Sequence, residues 1–247
     1  MSPRVFQWCR SFAAGSLLFV EQSAETIPGT TSEEGRWTKA FRERFADVVA
    51  SVYLYNEYTG WQGLERLLEA VKARMPEERE FIAVVTKHAA DERKHYFLFR
   101  RWFQNQGRLP LKVDATLGYV DQFIRLVFRR PMKDLDTAAI LGDEREFFRM
   151  CRLMMMTEFR GMKQVAALLN HGVIRRRPAL MKIYRVIEQD EPSHCLPYQR
   201  WLESKGGHQP RWEERLIDLW IHYSLVLLKI PLLFLRRATP RLADFPA

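Results

Sequence analysis

Two stretches about a hundred residues apart, DERKHYFLFRRWF (91–103) and DEPSHCLPYQRWL (190–202), share one outline. Aligned without a gap, Asp91, Glu92, His95, Arg101 and Trp102 fall on Asp190, Glu191, His194, Arg200 and Trp201. On a helix, residues three apart differ by about 60° around the axis and about 4.5 Å along it, so each Glu-x-x-His pair can point at one ion. A single such pair on a charged helix is usually a solvated face. The repetition constrains the fold further because each pair has a matching element upstream. YNEYTG holds Glu57 and Gly60, MTEFRG holds Glu158 and Gly161, and 158 − 57 = 101 while 191 − 92 = 99. The chain reads as two related halves.

Within a half, the lone glutamate precedes the Glu-x-x-His pair by 92 − 57 = 35 residues in the first copy and 191 − 158 = 33 in the second. Two antiparallel helices joined by a short turn near the midpoint, at 74–77 and 171–177, bring such positions to one height. The surrounding periodicity agrees. Apolar positions at three and four spacing predict helices over Trp37–Ala73, from just after Pro76 to Gly107, over Thr137–Asn170, and from Pro178 to Gly206. A shorter amphipathic piece, Ala115–Arg129, is closed by Pro131, and a fifth helix covers Trp212–Leu235. No segment alternates with period two, so no strand is expected. The reading is all-α: a four-helix bundle over 37–207, with a long crossover between its second and third helices. A partly helical N-terminal segment (1–36) precedes it, and an apolar helix and tail (208–247) follow, packed on the bundle or on a membrane.

Four carboxylates and two imidazoles at one level of an apolar bundle require compensating charge, since buried ions must be paired or coordinated. Two iron ions supply it with suitable oxygen and nitrogen ligands; manganese or a mixed iron–manganese pair is the second choice. Gly60 and Gly161, one turn beyond their glutamates, would leave space or allow close helix approach. The plainer alternative is a metal-free helical scaffold with accidental motifs.

Glu57, Glu92-x-x-His95, Glu158 and Glu191-x-x-His194 resemble the ligand set of the ferritin-like di-iron carboxylate superfamily, over about residues 38–205. The resemblance implies that Glu92 and Glu191 bridge or chelate, that Glu57 and Glu158 bind one ion each, and that one histidine completes each ion. Asp-Glu-x-x-His is similar to the oxygen-activating members, with dioxygen as co-substrate. There Asp91 is expected behind His194, and Asp190 behind His95, fixing each imidazole from outside the ligand set. The chain departs from the ribonucleotide reductase subunit at Phe99, where that family has a radical tyrosine. It departs from the multicomponent monooxygenases at Met162, where they have a threonine. Trp61, Phe99, Met162 and Tyr198, each one turn from a ligand, are expected to line an apolar substrate cavity, although any single one of them is more readily read as a packing residue. His88, four before Glu92, is read as a core or channel residue with an extra-ligand role as the alternative, and Glu188 as a possible additional carboxylate. Pro192 and Pro197 predict a kink or wide turn beside Glu191 and His194 that opens a coordination position.

The expected function is therefore a di-iron oxidase or oxygenase acting on a hydrophobic lipid, quinone-like or acyl substrate, free or carrier-bound. Electrons would come from a separate acidic donor, a ferredoxin-like protein or a reductase, which a formal charge of +9 would attract. The alternatives are hydroxylation of a transfer RNA base, with nucleic acid as the secondary partner class, and ferritin- or rubrerythrin-like iron oxidation or peroxide scavenging. Cys9, Cys151 and Cys195 form no paired motif, which excludes a zinc ribbon or disulfide framework and fits a reducing cytoplasm. The N-terminus superficially resembles a signal or transit peptide, but Trp8 and Phe12 suit a helix packed on the body. LWIHYSLVLLKIPLLFL (219–235) falls short of a membrane span. It reads as a core helix, or as an interfacial helix at the inner face of a membrane, with contact over 212–237.

Overall fold

Helix α1 (Arg36–Arg74) and α2 (Arg79–Asn105) form an antiparallel pair, as do α5 (Glu144–Asn170) and α7 (Pro178–Ser204), and α2 packs along α7 between the pairs. The computed structural model describes residues 35–206, 209–236 and 238–246. The N-terminal segment expected to be partly helical lies outside them. The described residues from Arg36 onward form one compact unit.

The topology is that of a ferritin-like bundle, with a crossover between α2 and α5 that carries α3 (Tyr119–Phe128), a single 3-10 turn (Met132–Asp134) and α4 (Thr137–Leu141). The crossover does more than travel the length of the bundle. Helix α3 packs against both α1 and α5, whereas those two meet at only a few positions. Its buried Tyr119, Val120, Phe123 and Ile124 thus supply apolar surface where the two halves diverge. Gly118 permits this approach, because a Cβ there would lie 2.6 Å from the Tyr55 ring. The Asn56 side chain, beside Glu57, accepts the Tyr119 amide at 2.7 Å.

Two expected boundaries differ. The third long helix begins at Glu144, not Thr137: Asp136 accepts the Ala139 amide and caps a five-residue α4, and Asp143 then accepts the Arg145 amide and starts α5 afresh. Asp at an N-cap satisfies amides that have no partner within the helix, so two caps seven residues apart override a continuous pattern. Helix α7, by contrast, runs unbroken through Pro192 and Pro197. The wide turn expected there occurs instead at Leu225–Lys229, just before Pro231, which divides the last helix into α8 (Trp212–Ser224) and α9 (Ile230–Leu235). A short α6 (Gly172–Arg175) makes the turn between α5 and α7.

Among the described residues the one β feature is an isolated bridge, Leu111 to Arg241, that ties the C-terminal tail to the start of the crossover. Arg44 donates to the carbonyls of Leu233 (2.6 Å) and Phe234 (3.1 Å), and Arg241 pairs with Asp47 at 2.6 Å, so the tail is fastened to α1 as well. Helix α8 is held by a buried bidentate pair, Arg152 to Glu214, and by Arg160 to Asp218.

The core is divided into two blocks. One contains Leu64, Leu67, Val71, Phe81, Val85, Phe147, Met154, Tyr198 and Trp201. The other contains Val49, Leu54, Tyr96, Phe99, Phe103, Val165, Ile183 and Ile187. On all four bundle helices the motif glutamates and histidines fall between residues of one block and residues of the other. The repeated tryptophans, Trp102 and Trp201, are both buried, whereas the repeated arginines are exposed, so that part of the duplicated outline belongs to packing.

Candidate metal centre

The polar layer between the blocks is buried: Glu57, Glu92, Glu158 and Glu191 are 5–7% exposed, and His88, His95 and His194 are 0% exposed. Their ligand atoms form two groups that could each hold an ion. Glu57, Glu92 and His95 form one, His88, Glu92, Glu158 and His194 the other, and within each group the atoms lie within 4.8 Å of one another. Glu92 belongs to both. Glu191 stands at the edge, its carboxylate 3.9 Å from His194 Nδ1.

Each motif histidine is held from behind. His95 Nε2 lies 2.9 Å from Asp190 and His194 Nε2 lies 3.1 Å from Asp91, both across the α2/α7 interface, leaving each Nδ1 facing the carboxylates. His95 Nδ1 is 3.2 Å from Glu57, and His194 Nδ1 is 3.9 Å from Glu92, Glu158 and Glu191. An imidazole with one N–H fixed by a carboxylate presents its other nitrogen as a bare donor, which is what a metal ion needs. Lys94 joins the two aspartates, 2.7 Å from each, and closes a chain that runs His95, Asp190, Lys94, Asp91, His194. Sequence reasoning missed Lys94 because it breaks the repeat: its counterpart is Ser193. The usable signal was the repeated aspartate itself: two acids, Asp91 and Asp190, set beside the layer need a cation.

The residues fit a pair of metal ions on three observations. His88 Nε2, His194 Nδ1 and Glu191 Oε2 are buried without a hydrogen-bond partner, and such atoms are rare in a folded interior unless something coordinates them. Both motif glycines also cradle a carboxylate: a Cβ on Gly60 would stand 2.9 Å from Glu92 Oε2, and one on Gly161 3.3 Å from Glu191 Oε1. Finally, the carboxylate-rich donor set with imidazole suits iron or manganese, whereas zinc and copper sites draw more on nitrogen and sulfur.

Protonation in the metal-free chain reflects the same demand. Burial, reinforced by Glu92, raises Glu57 to about 8, and burial with Glu158 and Glu92 raises Glu191 well above the carboxylate range. Burial disfavours the imidazolium, yet Glu158 and Glu92 raise His88 to about 9, and Glu57 and Glu92 raise His95 to about 11. Burial opposes the ionised form of Glu92, yet hydrogen bonds from His88 and His95 hold it below the usual carboxylate range, so Glu92 is the anion that these protonated groups, or cations in their place, would balance.

The other expected site residues separate. Glu188 is exposed and lies 4.0 Å from Arg185, out of reach of the layer, because four residues before Glu191 the inward position is Ile187. Trp61, Phe99, Met162 and Tyr198 have different neighbours and are not gathered around one cavity. Trp61 lies on the outer flank, donating to Glu65 at 2.8 Å beneath Arg93, and Met162 touches Cys195 at 3.4 Å. Phe99 packs between Tyr53 and Tyr184, and Tyr198 against Phe81, with its hydroxyl 3.2 Å from His88 Nδ1. A half-open cavity of about 580 Å³ lies elsewhere, between α3, α4, α5 and α8, lined in part by Phe128, Ile140, Arg149 and Ile217.

The last helix is not a simple core helix. Ile221, Leu225 and Leu233 face inward, but Trp212, Leu216, Trp220, Leu227, Leu228, Leu232 and Leu235 are each more than half exposed. Over Trp212–Leu235 it is long and apolar enough to cross a membrane or lie against one.

No family model, curated protein or solved structure matches the chain. The ferritin-like character described above rests on the helix order and on the duplicated cluster itself.

Proposed function

We propose that this protein is a non-haem di-iron enzyme of the ferritin-like type that uses dioxygen to oxidise a hydrophobic organic substrate. One observation carries the reading: a carboxylate and imidazole layer, duplicated in the sequence, is buried between two apolar blocks with donor atoms of His88, His194 and Glu191 left unpartnered. Glu57, Glu92 and His95 would hold one ion, and Glu158, His194 and the shared Glu92 the other, with Glu191 closing the layer at its edge. The ions would supply the redox chemistry that no side chain can provide; the chain supplies their binding, orientation and a dry environment.

The chain's own contributions follow from position. Asp91 and Asp190 hold the two imidazoles in the tautomer that faces the ions. The apolar blocks limit water at the centre, which strengthens every charge interaction there. Lys87 and Lys94 are partly exposed at the outer ends of the histidine–aspartate pairs. That basic edge, on a chain of charge +9, suits an acidic electron donor such as a ferredoxin or reductase. The apolar outer face of α8 and α9 favours a lipid-like, quinone-like or acyl substrate collected from a membrane surface or a carrier.

The test is elemental analysis of the full chain together with oxygen uptake. Two irons per chain are expected, with reductant-dependent oxygen consumption that becomes coupled to product when a lipid-like substrate is present. A Glu92→Ala, His194→Ala double variant that keeps its iron would refute the site. Uptake that never couples to an organic product, but yields ferric mineral or consumes peroxide, would refute the oxygenase reading while leaving the site intact.

A further inference from the structure

We propose that His88 is a third imidazole ligand, so that the two metal positions are unequal: one takes His95 alone, the other takes His88 and His194 together. The inference rests on the two-metal reading above and extends it to a residue outside the duplicated motif.

His88 sits one helical turn before Glu92 and is completely buried. Its Nε2 lies 3.4 Å from Glu158 and 3.7 Å from Glu92, yet it has no hydrogen-bond partner, and the same is true of the facing His194 Nδ1. The two rings stack with centroids 4.1 Å apart and planes 21° from parallel, so both bare nitrogens border the same pair of carboxylates. Those four side chains are the ones whose ligand atoms come within a single ion's reach.

The other nitrogen is accounted for. His88 Nδ1 is 3.2 Å from the Tyr198 hydroxyl, and if that oxygen accepts the Nδ1 proton, Nε2 is left as a lone pair directed at the layer. All three imidazoles therefore share one arrangement, with one nitrogen held from behind and one presented inward. The support differs: a carboxylate stands behind His95 and His194, and a neutral phenol behind His88.

Comparison of the halves makes the inequality specific. At the spacing that superimposes Glu92 on Glu191, His88 falls on Ile187 and Tyr198 falls on Phe99. Both members of the polar pair are thus replaced by apolar residues on the opposite side, and Ile187 and Phe99 belong to the same apolar block. A histidine serving only as an internal counter-ion for the acidic layer would need no such orientation of its second nitrogen. Its removal would also leave metal binding unchanged or improved.

The experiment loads the full, metal-free chain with cobalt(II) and follows stoichiometry, stepwise affinity and visible absorption, which reports the donor set of each ion. Wild type is expected to take two ions. His88→Gln should weaken one position by at least about tenfold and alter its absorption, while the position held by Glu57 and His95 keeps its own. Tyr198→Phe should weaken the same position by less. Should His88→Gln fail to fold, the cobalt-loaded wild type decides the matter through its histidine N–H signals: three paramagnetically shifted imidazoles support the proposal and two overturn it. Two unchanged affinities and an unchanged spectrum in His88→Gln would overturn it while sparing the two-metal reading. A wild type that binds no cobalt would overturn both.

Discussion

Gly60→Ala separates the metal reading from ordinary helix energetics, because the two predict effects of opposite sign. Gly60 lies inside α1, where alanine is favoured over glycine by about 1 kcal/mol. On propensity alone the variant is more stable. The added Cβ, however, would stand 2.9 Å from Glu92 Oε2, and ordinary contact begins near 3.4 Å, so the carboxylate must retreat by about 0.5 Å. In the metal-free chain that oxygen ends a flexible side chain and can move at little cost. In the loaded chain Glu92 would serve both ion positions, its Oε1 facing His88, His95 and His194, and a carboxylate pushed back at Oε2 would carry Oε1 with it, where ligand distances tolerate only about 0.2 Å. A displaced ligand of this kind lowers metal affinity by about 10- to 100-fold.

Thermal or urea unfolding with and without metal reads both effects. At free metal 100 times the wild-type Kd, binding stabilises the native state by about 2.7 kcal/mol per site. A tenfold weaker Kd reduces that to about 1.4 kcal/mol, and a hundredfold weaker one to about 0.4 kcal/mol. Gly60→Ala should therefore equal or exceed wild type without metal and lose most of the metal-dependent gain. Gly161→Ala is the internal control: its Cβ would lie 3.3 Å from Glu191 Oε1, almost at contact already, so its affinity should fall by less than about threefold. A Gly60→Ala protein that binds metal as wild type does, or a Gly161→Ala protein that loses more affinity than Gly60→Ala, would refute the argument that the approach of each carboxylate to its glycine sets the loss.

Three further outcomes are expected. Asp190→Asn keeps the shape behind His95 but removes the anionic acceptor, so metal affinity should drop by about 10- to 100-fold, measured by chelator competition, with unfolding of the metal-free chain little changed. Glu214→Ala strands the buried Arg152 guanidinium and should cost about 3–5 kcal/mol in urea unfolding, yet leave metal content per folded chain as in wild type. The pH dependence has a definite sign. Glu57 rises to about 8 from 4.5, and His88 and His95 rise to about 9 and 11 from 6.5, so between pH 7 and 8 the folded metal-free chain binds more protons at all three than the unfolded chain does. Its stability should then fall as pH rises through that window and toward 9. Metal uptake displaces those protons and should strengthen over the same range, and urea midpoints of the metal-free chain that rose from pH 7 to 9 would contradict the assignment.

The sequence made the bundle and the polar layer legible for one physical reason: a helix converts spacing into direction, so a repeated interval of 35 and 33 residues across a turn fixes a shared height. The same reasoning failed wherever direction depends on neighbours that spacing does not specify. Glu188 and Ile187 are adjacent, and either could face inward by periodicity; the packing of α7 turns Ile187 in and leaves Glu188 beside Arg185. The four supposed cavity residues fail similarly. Being one turn from a ligand fixes their height, not the residue they lean on: Trp61 packs beside Tyr96 and Met162 against Cys195, each within its own helix pair. Capping overrode periodicity at Asp143, and the unbroken α7 shows that two prolines do not by themselves force a wide turn when the flanking helices hold the segment in place.

What the two halves fail to share is as informative as what they repeat. Besides the arginine and tryptophan pairs, the positions that match are four glutamates, two histidines, two glycines and the two aspartates behind the histidines, which on the two-metal reading would bind an ion, hold a ligand or clear space for one. The positions that diverge lie immediately around them. His88 faces Tyr198 on one side, where Ile187 and Phe99 stand on the other, and Lys94 bridges both aspartates where its counterpart is Ser193. A duplicated site with identical surroundings would give two equivalent ions and no preference between them. On the two-metal reading proposed above, the matched residues would set where the ions sit, and a polar wall and an apolar wall would distinguish them. On the proposed ligand sets, that difference between the two walls is where any division of chemical labour would originate. It also explains why the internal repeat can be read without relatives: each half serves as the other's alignment, and function is written in the mismatches.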